Sequence, residues 1–306
     1  MSKEGRTRIA LITGGNSGIG KHTAIGLLQR GYRVAITSRD PQRGEAAKAE
    51  IERLAGGGEV DCLRLDLASF ASIHACADDV LERFARLDLL VNNAGLILAD
   101  RRETAEGIET TFGVNHIGHF LLTMLLLPRL TASAPSRIVN VSSDAHKGAR
   151  GGLDFDDLEL CEGYGGFKAY CRSKLANIYF TRELARRYAD RGITAYAVHP
   201  GAVASGFGRD GDLRGVTGAL FSLARPLMIG PDKGARTSLH VATAPLPELD
   251  NGGYYAKCKL AKLAPVATDD DASLRLWVTS ERLIDELEAV RDTRVDDEPA
   301  PPDLDA

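Results

Sequence analysis

Cysteine is scarce in this chain: five in 306 residues (Cys62, Cys76, Cys161, Cys171 and Cys258), an odd number with no C-x-x-C spacing. That argues against a disulfide scaffold or a cysteine-built zinc site and fits a reducing compartment, so a cytoplasmic location is expected. Excess positive charge is also missing. Lys and Arg number 38 against 42 Asp and Glu, a net charge of −4, the wrong sign for a protein that grips a phosphate backbone, and no nucleic-acid partner is expected. Long apolar runs are lacking too. The most apolar stretch, Phe120 to Leu127, is interrupted by Thr123 and stopped by Pro128, well short of the roughly 20 residues that span a bilayer. Residues 1–8 are charged, with no apolar leader region, so neither a signal peptide nor a membrane anchor is expected. What remains is an enzyme or binding protein for small molecules, 44% hydrophobic and long enough to bury a large core.

The charge is unevenly placed. Between Asp292 and Ala306 lie Asp292, Asp296, Asp297, Glu298, Asp303 and Asp305 against Arg294 alone, with Pro299, Pro301 and Pro302. Such a segment has too little apolar surface to offset its ordering entropy, and 292–306 is expected to be a disordered acidic tail. No linker or short repeat interrupts residues 1–291, which are read as a single domain.

Within that domain, strand and helix patterns alternate. Short apolar runs bounded by turn residues predict strands at 8–13, 33–38, 60–65, 89–92, 137–141, 193–199 and 254–256. Helical patterns lie between and after them at 18–30, 41–54, 69–84, 106–130, 169–189, 233–243 and 272–290. This alternation predicts an α/β fold: a doubly wound, mainly parallel, Rossmann-type sheet with helices on both faces.

The first strand runs into Thr13-Gly14-Gly15-Asn16-Ser17-Gly18-Ile19-Gly20. Glycines there allow close backbone approach, and the helix starting near Gly18 offers free N–H groups and a positive dipole end to a pyrophosphate. The spacing is G-x-x-x-G-x-G, not G-x-G-x-x-G, but its place between first strand and first helix predicts a dinucleotide site. At the end of the second strand, nineteen residues beyond Gly20, stands Arg39 where an acid would receive the ribose hydroxyls of NAD. A guanidinium suits a 2′-phosphate, so NADP(H) is expected over NAD(H), with Lys21 and Arg43 as further positive charge and Asp40 turned away.

Tyr170 and Lys174 are spaced i, i+4 in a strongly helical stretch, about 6 Å apart along the axis and on nearly one face. A phenol ionises near ~10; an ammonium beside it, with the charge of an oxidised nicotinamide, is expected to lower that value toward useful proton transfer. Tyr164 and Lys168 repeat the spacing, but Gly165 and Gly166 between them predict a loop. Ser142-Ser143 ends a strand at the carboxyl edge, where a hydroxyl can hold a substrate carbonyl oxygen. Asn92-Asn93-Ala94-Gly95 ends another strand there, and Asn115 sits mid-helix, placed to orient water near the lysine. His116, His119 and His146 read as core or solvated histidines, with no metal site expected.

Together these residues resemble the short-chain dehydrogenase/reductase superfamily along nearly the whole chain. Thr13 to Gly20 matches its T-G-x-x-x-G-x-G, Asn92 to Gly95 its N-N-A-G, Pro200-Gly201 its P-G turn, and Asn115, Ser143, Tyr170 and Lys174 its tetrad. The resemblance implies that Ser143, the second serine of the pair, is the catalytic one. It also places Asp66-Leu67 beside the adenine and assigns Val203 and Ser205, the latter where threonine is usual, to the nicotinamide side. Arg39-Asp40, Tyr170 to Arg182, Tyr196 to Gly201 and Leu276-Trp277 look like the retinol dehydrogenase-like branch, whose members commonly use NADPH. As in that branch, 27 residues separate Ser143 from Tyr170, so 147–167 and 205–229 are expected to be substrate-side loops. The expected activity is hydride transfer between NADP(H) and a carbonyl or alcohol, on a small-molecule substrate of lipophilic character. The alternatives are a carbon–carbon double-bond reductase like the protochlorophyllide reductases, or a non-catalytic NADP-binding sensor or scaffold. A homo-oligomer through the 120–127 helix is a further possibility of the family.

Overall fold

The computed structural model describes residues 7–203 and 228–296. Ser205, most of the second expected loop (205–227) and 297–306 of the acidic segment lie outside the described residues. The chain runs β1 (Arg8–Ile12), α1 (Gly18–Leu28), β2 (Tyr32–Ser38), α2 (Pro41–Ala55), β3 (Val60–Arg64), α3 (Phe70–Arg83) and β4 (Leu89–Asn92). It continues through α4 (Thr110–Ala132), β5 (Ser136–Val141), α5 (Gly166–Tyr188), β6 (Ile193–His199), α6 (Pro231–Thr243), β7 (Tyr254–Ala256), β8 (Lys259–Leu260) and α7 (Asp270–Asp296).

The strands form one sheet in the order β3-β2-β1-β4-β5-β6-β7-β8, parallel from β3 to β7. The doubly wound, Rossmann-type sheet is therefore borne out. Winding reverses direction between β1 and β4, and the carboxyl ends of these two strands open the crevice in which such sheets bind ligands. Thr13 leaves β1 at that crevice and Asn93 leaves β4, so the two glycine-containing turns face one another.

Period-two alternation explains why helices cover both faces. In β1, Ile9 and Leu11 enter the core shared with α3, α4 and α5, while Ala10 and Ile12 enter the core under α1, α2 and α6. The strands in between are apolar on both sides, which is why they read as continuous runs. Helix α7 is held by Trp277, 2% exposed, whose ring centroid lies 5.0 Å from Phe120 on α4 and 5.9 Å from Phe180 on α5. The Arg187 guanidinium covers the indole at 4.5 Å.

Several element ends differ from the sequence reading, and one strand was not foreseen. The helix expected at 106–130 begins at Thr110, capped by Glu109, whose carboxylate accepts from Thr111 N and Phe112 N. It is widened into a π turn over Gly113–Ile117, which periodicity alone does not signal. Strand β8 is only two residues long and antiparallel to β7; the turn before it uses positive φ at Lys257 and Cys258, where no glycine marks it. Helix α7 continues to Asp296, so helical backbone covers the first five residues of the segment expected to be a disordered tail.

Helix α4 is long and apolar enough to cross a membrane by composition, yet its apolar window is 83% buried inside the fold. Phe120, Leu121, Leu122, Leu126 and Leu127 are core residues of the single chain, leaving Met124 and Leu125 partly exposed. The segment 147–167 is packed down as well: Leu153 and Leu160 are buried, and Arg172 donates to the Asp157 carbonyl at 2.8 Å. Replacing Trp277 by alanine leaves a large hole among α4, α5 and α7 and should lower the unfolding free energy by about 3–5 kcal/mol. Urea denaturation followed by far-ultraviolet circular dichroism checks this.

Candidate active site

The turn between β1 and α1 is compact because small residues let two strand ends meet. Gly14 and Gly18 hold φ values of +62° and +53°, which a side chain would strain. A Cβ on Gly20 would stand 2.6 Å from both Asn93 Nδ2 and the Gly14 carbonyl oxygen, so the turn closes only on glycine. Ser17 stands at the N-cap without a side-chain capping bond, leaving the first-turn N–H groups of Gly18, Ile19 and Gly20 without a side-chain cap. Asn16 is half-buried and Ser17 exposed. Across the crevice, Asn93 Nδ2 donates to the Thr13 carbonyl (2.8 Å), and the N–H groups of Asn93 and Ala94 both donate to Thr13 Oγ1 (2.9 and 3.0 Å).

Arg39 follows β2, exposed and without an ion pair among the described residues. Asp40 does turn to other work: its carboxylate caps α2, accepting from Gln42 N (2.9 Å) and Arg43 N (3.1 Å). The expected help from Lys21 and Arg43 is not supported. Lys21 is bound by the Glu50 carboxylate at 2.8 Å, and Arg43 lies 3.7 Å from Asp40. Arg39 is left without a carboxylate partner among the described residues, as is Arg64, which lies opposite Ser38 in the β2–β3 register. Asp66 caps its own turn through Ala68 N at 3.0 Å, with Leu67 buried beneath it, its carbonyl against Gly118 of α4. Beyond β6, Gly201 takes φ +95°, and Val203 pairs with Ile229 while packing, with Ile19, against Gly234 of α6.

Helix α5 is joined to the end of β5 in both directions. Ser142 Oγ donates to the Lys174 carbonyl (2.7 Å), and Lys174 Nζ donates back to the Val141 carbonyl (3.1 Å), which Asn177 Nδ2 also meets at 3.1 Å. This occupies Ser142 and leaves Ser143 as the serine that reaches the Tyr170 hydroxyl. Lys174 Nζ lies 5.4 Å from the centre of the Tyr170 ring. Asn115 sits inside the π turn, buried; its Oδ1 accepts from Leu96 N (2.8 Å), and its Nδ2 donates to the Leu96 carbonyl (2.9 Å) and Ser173 Oγ (3.0 Å). A Cβ on Gly95 would stand 3.1 Å from Asn115 Oδ1 and 3.4 Å from Lys174 Nζ, so that glycine lets all three converge. The structure thus brings Asn115, Ser143, Tyr170, Lys174 and Gly95 together at the crevice. The Asn115 amide also ties α4 to α5 and to the chain after β4.

In the chain alone, burial governs the electrostatics of the pair. Burial pushes the Tyr170 phenol up to about 12, against a lowering hydrogen bond from Ser143. Burial pulls Lys174 down to about 8. The ammonium has three donors and, among the described residues, one acceptor. A buried charge so thinly partnered, beside uncapped helix N–H groups and a glycine-floored crevice, fits a polar cofactor: ribose hydroxyls at Lys174 and a pyrophosphate at α1.

Tyr164 is confirmed outside the site. Its hydroxyl bonds the Leu98 carbonyl (3.2 Å) and the Glu109 carboxylate (3.3 Å). The loop reading is corrected in part, because Gly166, Phe167 and Lys168 form the first turn of α5. Gly166 is needed where α5 touches the chain after β4: a Cβ there would meet the Leu98 oxygen at 2.0 Å.

Sequence reasoning missed a cluster behind Ser143. Asp144 accepts from Tyr254 Oη (3.0 Å) and pairs with Lys147 (2.7 Å), its N–H donates to His199 Nδ1 (3.3 Å), and His146 Nδ1 donates to the Ser143 carbonyl (2.7 Å). The adjacency of Ser143 to Asp144 and His146 was visible; their meeting with β6 and β7 was not. His116 and His119 are buried core histidines. No group of three or more potential metal ligands occurs among the described residues.

The model of the short chain dehydrogenase family matches residues 8–154 and 159–212. Human retinol dehydrogenase 12 is 45% identical over 277 residues, covering 90% of this chain and 86% of its own. Among solved structures, an uncharacterised protein from Mycobacterium paratuberculosis is 34% identical with a TM-score of 0.73, covering 90% of this chain and 92% of its own. An NADPH-bound carbonyl reductase from chicken fatty liver is 28% identical with a TM-score of 0.63, covering 84% of this chain and all of its own.

Burial holds both His116 and His119 down at about 3, so each stays neutral in the fold and takes a proton on unfolding below its ordinary value near 6.5. Their contribution is fully present above that value and is lost as pH falls. Stability should therefore drop by up to ~1.4 kcal/mol per pH unit for each histidine once pH is below ~6. Urea midpoints at pH 7, 6 and 5, where most carboxylates remain ionised, test the slope.

Proposed function

The chain belongs to the short chain dehydrogenase family, oxidoreductases of alcohol and carbonyl groups, and we propose that it interconverts a lipophilic aldehyde or ketone and its alcohol with NADP(H). The observation that carries the reading is the hydrogen-bonded Ser143–Tyr170 pair at the crevice, with a buried Lys174 one turn along the same helix. Ser143 holds the substrate oxygen, and Tyr170 gives that oxygen a proton in reduction or takes one in oxidation. Lys174 keeps positive charge at the phenol and holds the cofactor ribose, and Asn115 fixes the distance between α4, α5 and the turn after β4. Gly14, Asn16, Ser17, Gly18, Ile19 and Gly20 seat the pyrophosphate; Asp66, Leu67, Asn93, Ala94 and Gly95 line the adenosine and ribose side; Pro200, Gly201, Val203 and Ser205 take the nicotinamide side. Bound there, the nicotinamide supplies or accepts the hydride and, oxidised, adds positive charge near the phenol.

Preference for NADP(H) rests on Arg39, an exposed guanidinium without a carboxylate partner at the end of β2. The likeness to an NADPH-bound carbonyl reductase agrees with it. A lipophilic substrate is supported by Phe167, 58% exposed one turn before Tyr170, and by Ile229, 36% exposed beside Gly201. The name of the human retinol dehydrogenase 12 points the same way.

The test is cofactor oxidation against a panel of aldehydes, ketones and conjugated alkenes, with NADH beside NADPH. Long-chain and ring-bearing carbonyls should turn over, and conjugated alkenes without a carbonyl should not. Tyr170→Phe should cut kcat by about 10³-fold while NADPH still binds. Arg39→Ala should lower the NADPH-to-NADH ratio of kcat/KM at least ~10-fold, the worth of one charge-assisted hydrogen bond.

A further inference from the structure

His119 is 2% exposed, one turn beyond Asn115 on α4, and takes no part in the chemistry above. Its two ring nitrogens join the end of β1 to the preceding turn of α4. Nε2 lies 2.8 Å from Thr13 Oγ1, at the end of β1, and Nδ1 lies 3.2 Å from the carbonyl oxygen of Asn115.

The protons can be placed by counting. A threonine hydroxyl accepts two hydrogen bonds and donates one. Thr13 Oγ1 already accepts from Asn93 N (2.9 Å) and Ala94 N (3.0 Å), so its own hydrogen must be given away. The candidates are His119 Nε2 at 2.8 Å and the Val91 carbonyl at 3.4 Å; the shorter contact wins. Nε2 therefore accepts, and the ring proton belongs on Nδ1, where the Asn115 carbonyl receives it. The reverse tautomer would set two donors against each other at Thr13 and leave Nδ1 facing a carbonyl with no proton between them. Lys174 and His116 are the titratable groups that interact electrostatically with His119, and neither hydrogen-bonds its ring among the described residues.

We propose that His119, as its neutral Nδ1–H tautomer, is a positioning residue that ties the cofactor side of the crevice, through Thr13 and the Asn93–Ala94 turn, to the catalytic side, through Asn115. The proposal deepens the oxidoreductase reading and rests on it only for its kinetic consequence.

The two ring nitrogens can be tested apart. His119→Gln keeps an acceptor at the distance of Nε2 and lacks the donor at Nδ1; His119→Asn does the reverse. In the protein without cofactor, amide hydrogen exchange at Asn93 and Ala94 should quicken about 10-fold in His119→Asn and stay within about threefold of wild type in His119→Gln, since one buried hydrogen bond is at stake. NADPH binding followed by fluorescence should weaken by a similar ~10-fold in His119→Asn alone. His119→Gln should keep that affinity and lose kcat by about 10-fold. Nitrogen-15 spectra of histidine-labelled wild type should show His119 protonated at Nδ1 and bare at Nε2, a readout that needs neither turnover nor a variant that folds. A His119 protonated at Nε2 would overturn the proposal, as would amides of Asn93 and Ala94 exchanging no faster in His119→Asn than in wild type. The exchange and spectroscopic results stand apart from catalysis, so their failure is distinguishable from failure of the oxidoreductase reading, which the wild-type substrate panel decides.

Discussion

An ammonium buried against one backbone carbonyl is the constraint on which this site depends. Lys174 is 3% exposed and donates to the carbonyl of Val141 at the last residue of β5, while Ser142 returns a bond to the carbonyl of Lys174. Those contacts fix the rotation of α5 against the sheet. Once the rotation is set, Tyr170, one turn earlier, must face the crevice, and Ser143 is the serine left to meet it. Burying a charge with so few partners is costly, and burial correspondingly draws Lys174 down to about 8. The cost is tolerable where a bound polar molecule completes the shell, which links the stability of the helix seat to occupation of the crevice.

The charges around the cofactor side are sorted by pairing. Lys21 is committed to Glu50, Arg43 to Asp40, and Asp40 to the cap of α2. That sorting leaves Arg39 exposed at the end of β2 without an ion pair among the described residues, with Arg64 of β3 in register opposite the neighbouring Ser38. Beneath the crevice floor, Asn92 donates to Asn140 and Thr123, and Asn140 donates to Thr181, a buried polar line joining β4, β5, α4 and α5. Such a line resists sliding between elements that apolar contacts alone would permit.

Much of this was legible beforehand because the signals are local and periodic. The seven parallel strands are apolar runs ended by turn residues, and the turn from Thr13 to Gly20, the Tyr170–Lys174 spacing and the Ser142-Ser143 pair are all short-range patterns, while the choice of Ser143 came from the family resemblance. What stayed hidden depends on contacts between distant segments. The π turn at Asn115 arises where α4 meets the chain after β4, and Tyr254, Asp144 and His199 meet only because β5, β6 and β7 are neighbours. The reading of His119 as core was right about burial and silent about its bonds, since only the fold brings Thr13 within 2.8 Å. The expectation that Lys174 and an oxidised nicotinamide together lower the phenol concerns the cofactor-bound protein; in the chain alone, burial strips water from the phenolate and pushes Tyr170 up.

Burial holds the Tyr170 phenol above its ordinary range in the protein alone, and on the proposed function cofactor charge completes its activation. The most direct measurement is an ultraviolet difference titration of the chain against its Tyr170→Phe variant, with and without NADP⁺. The account predicts a Tyr170 ionisation near 12 in the protein alone and a lower one with NADP⁺ present. Ionisation at or below the ordinary value of ~10 in the protein alone, or a value unmoved by NADP⁺, would contradict it.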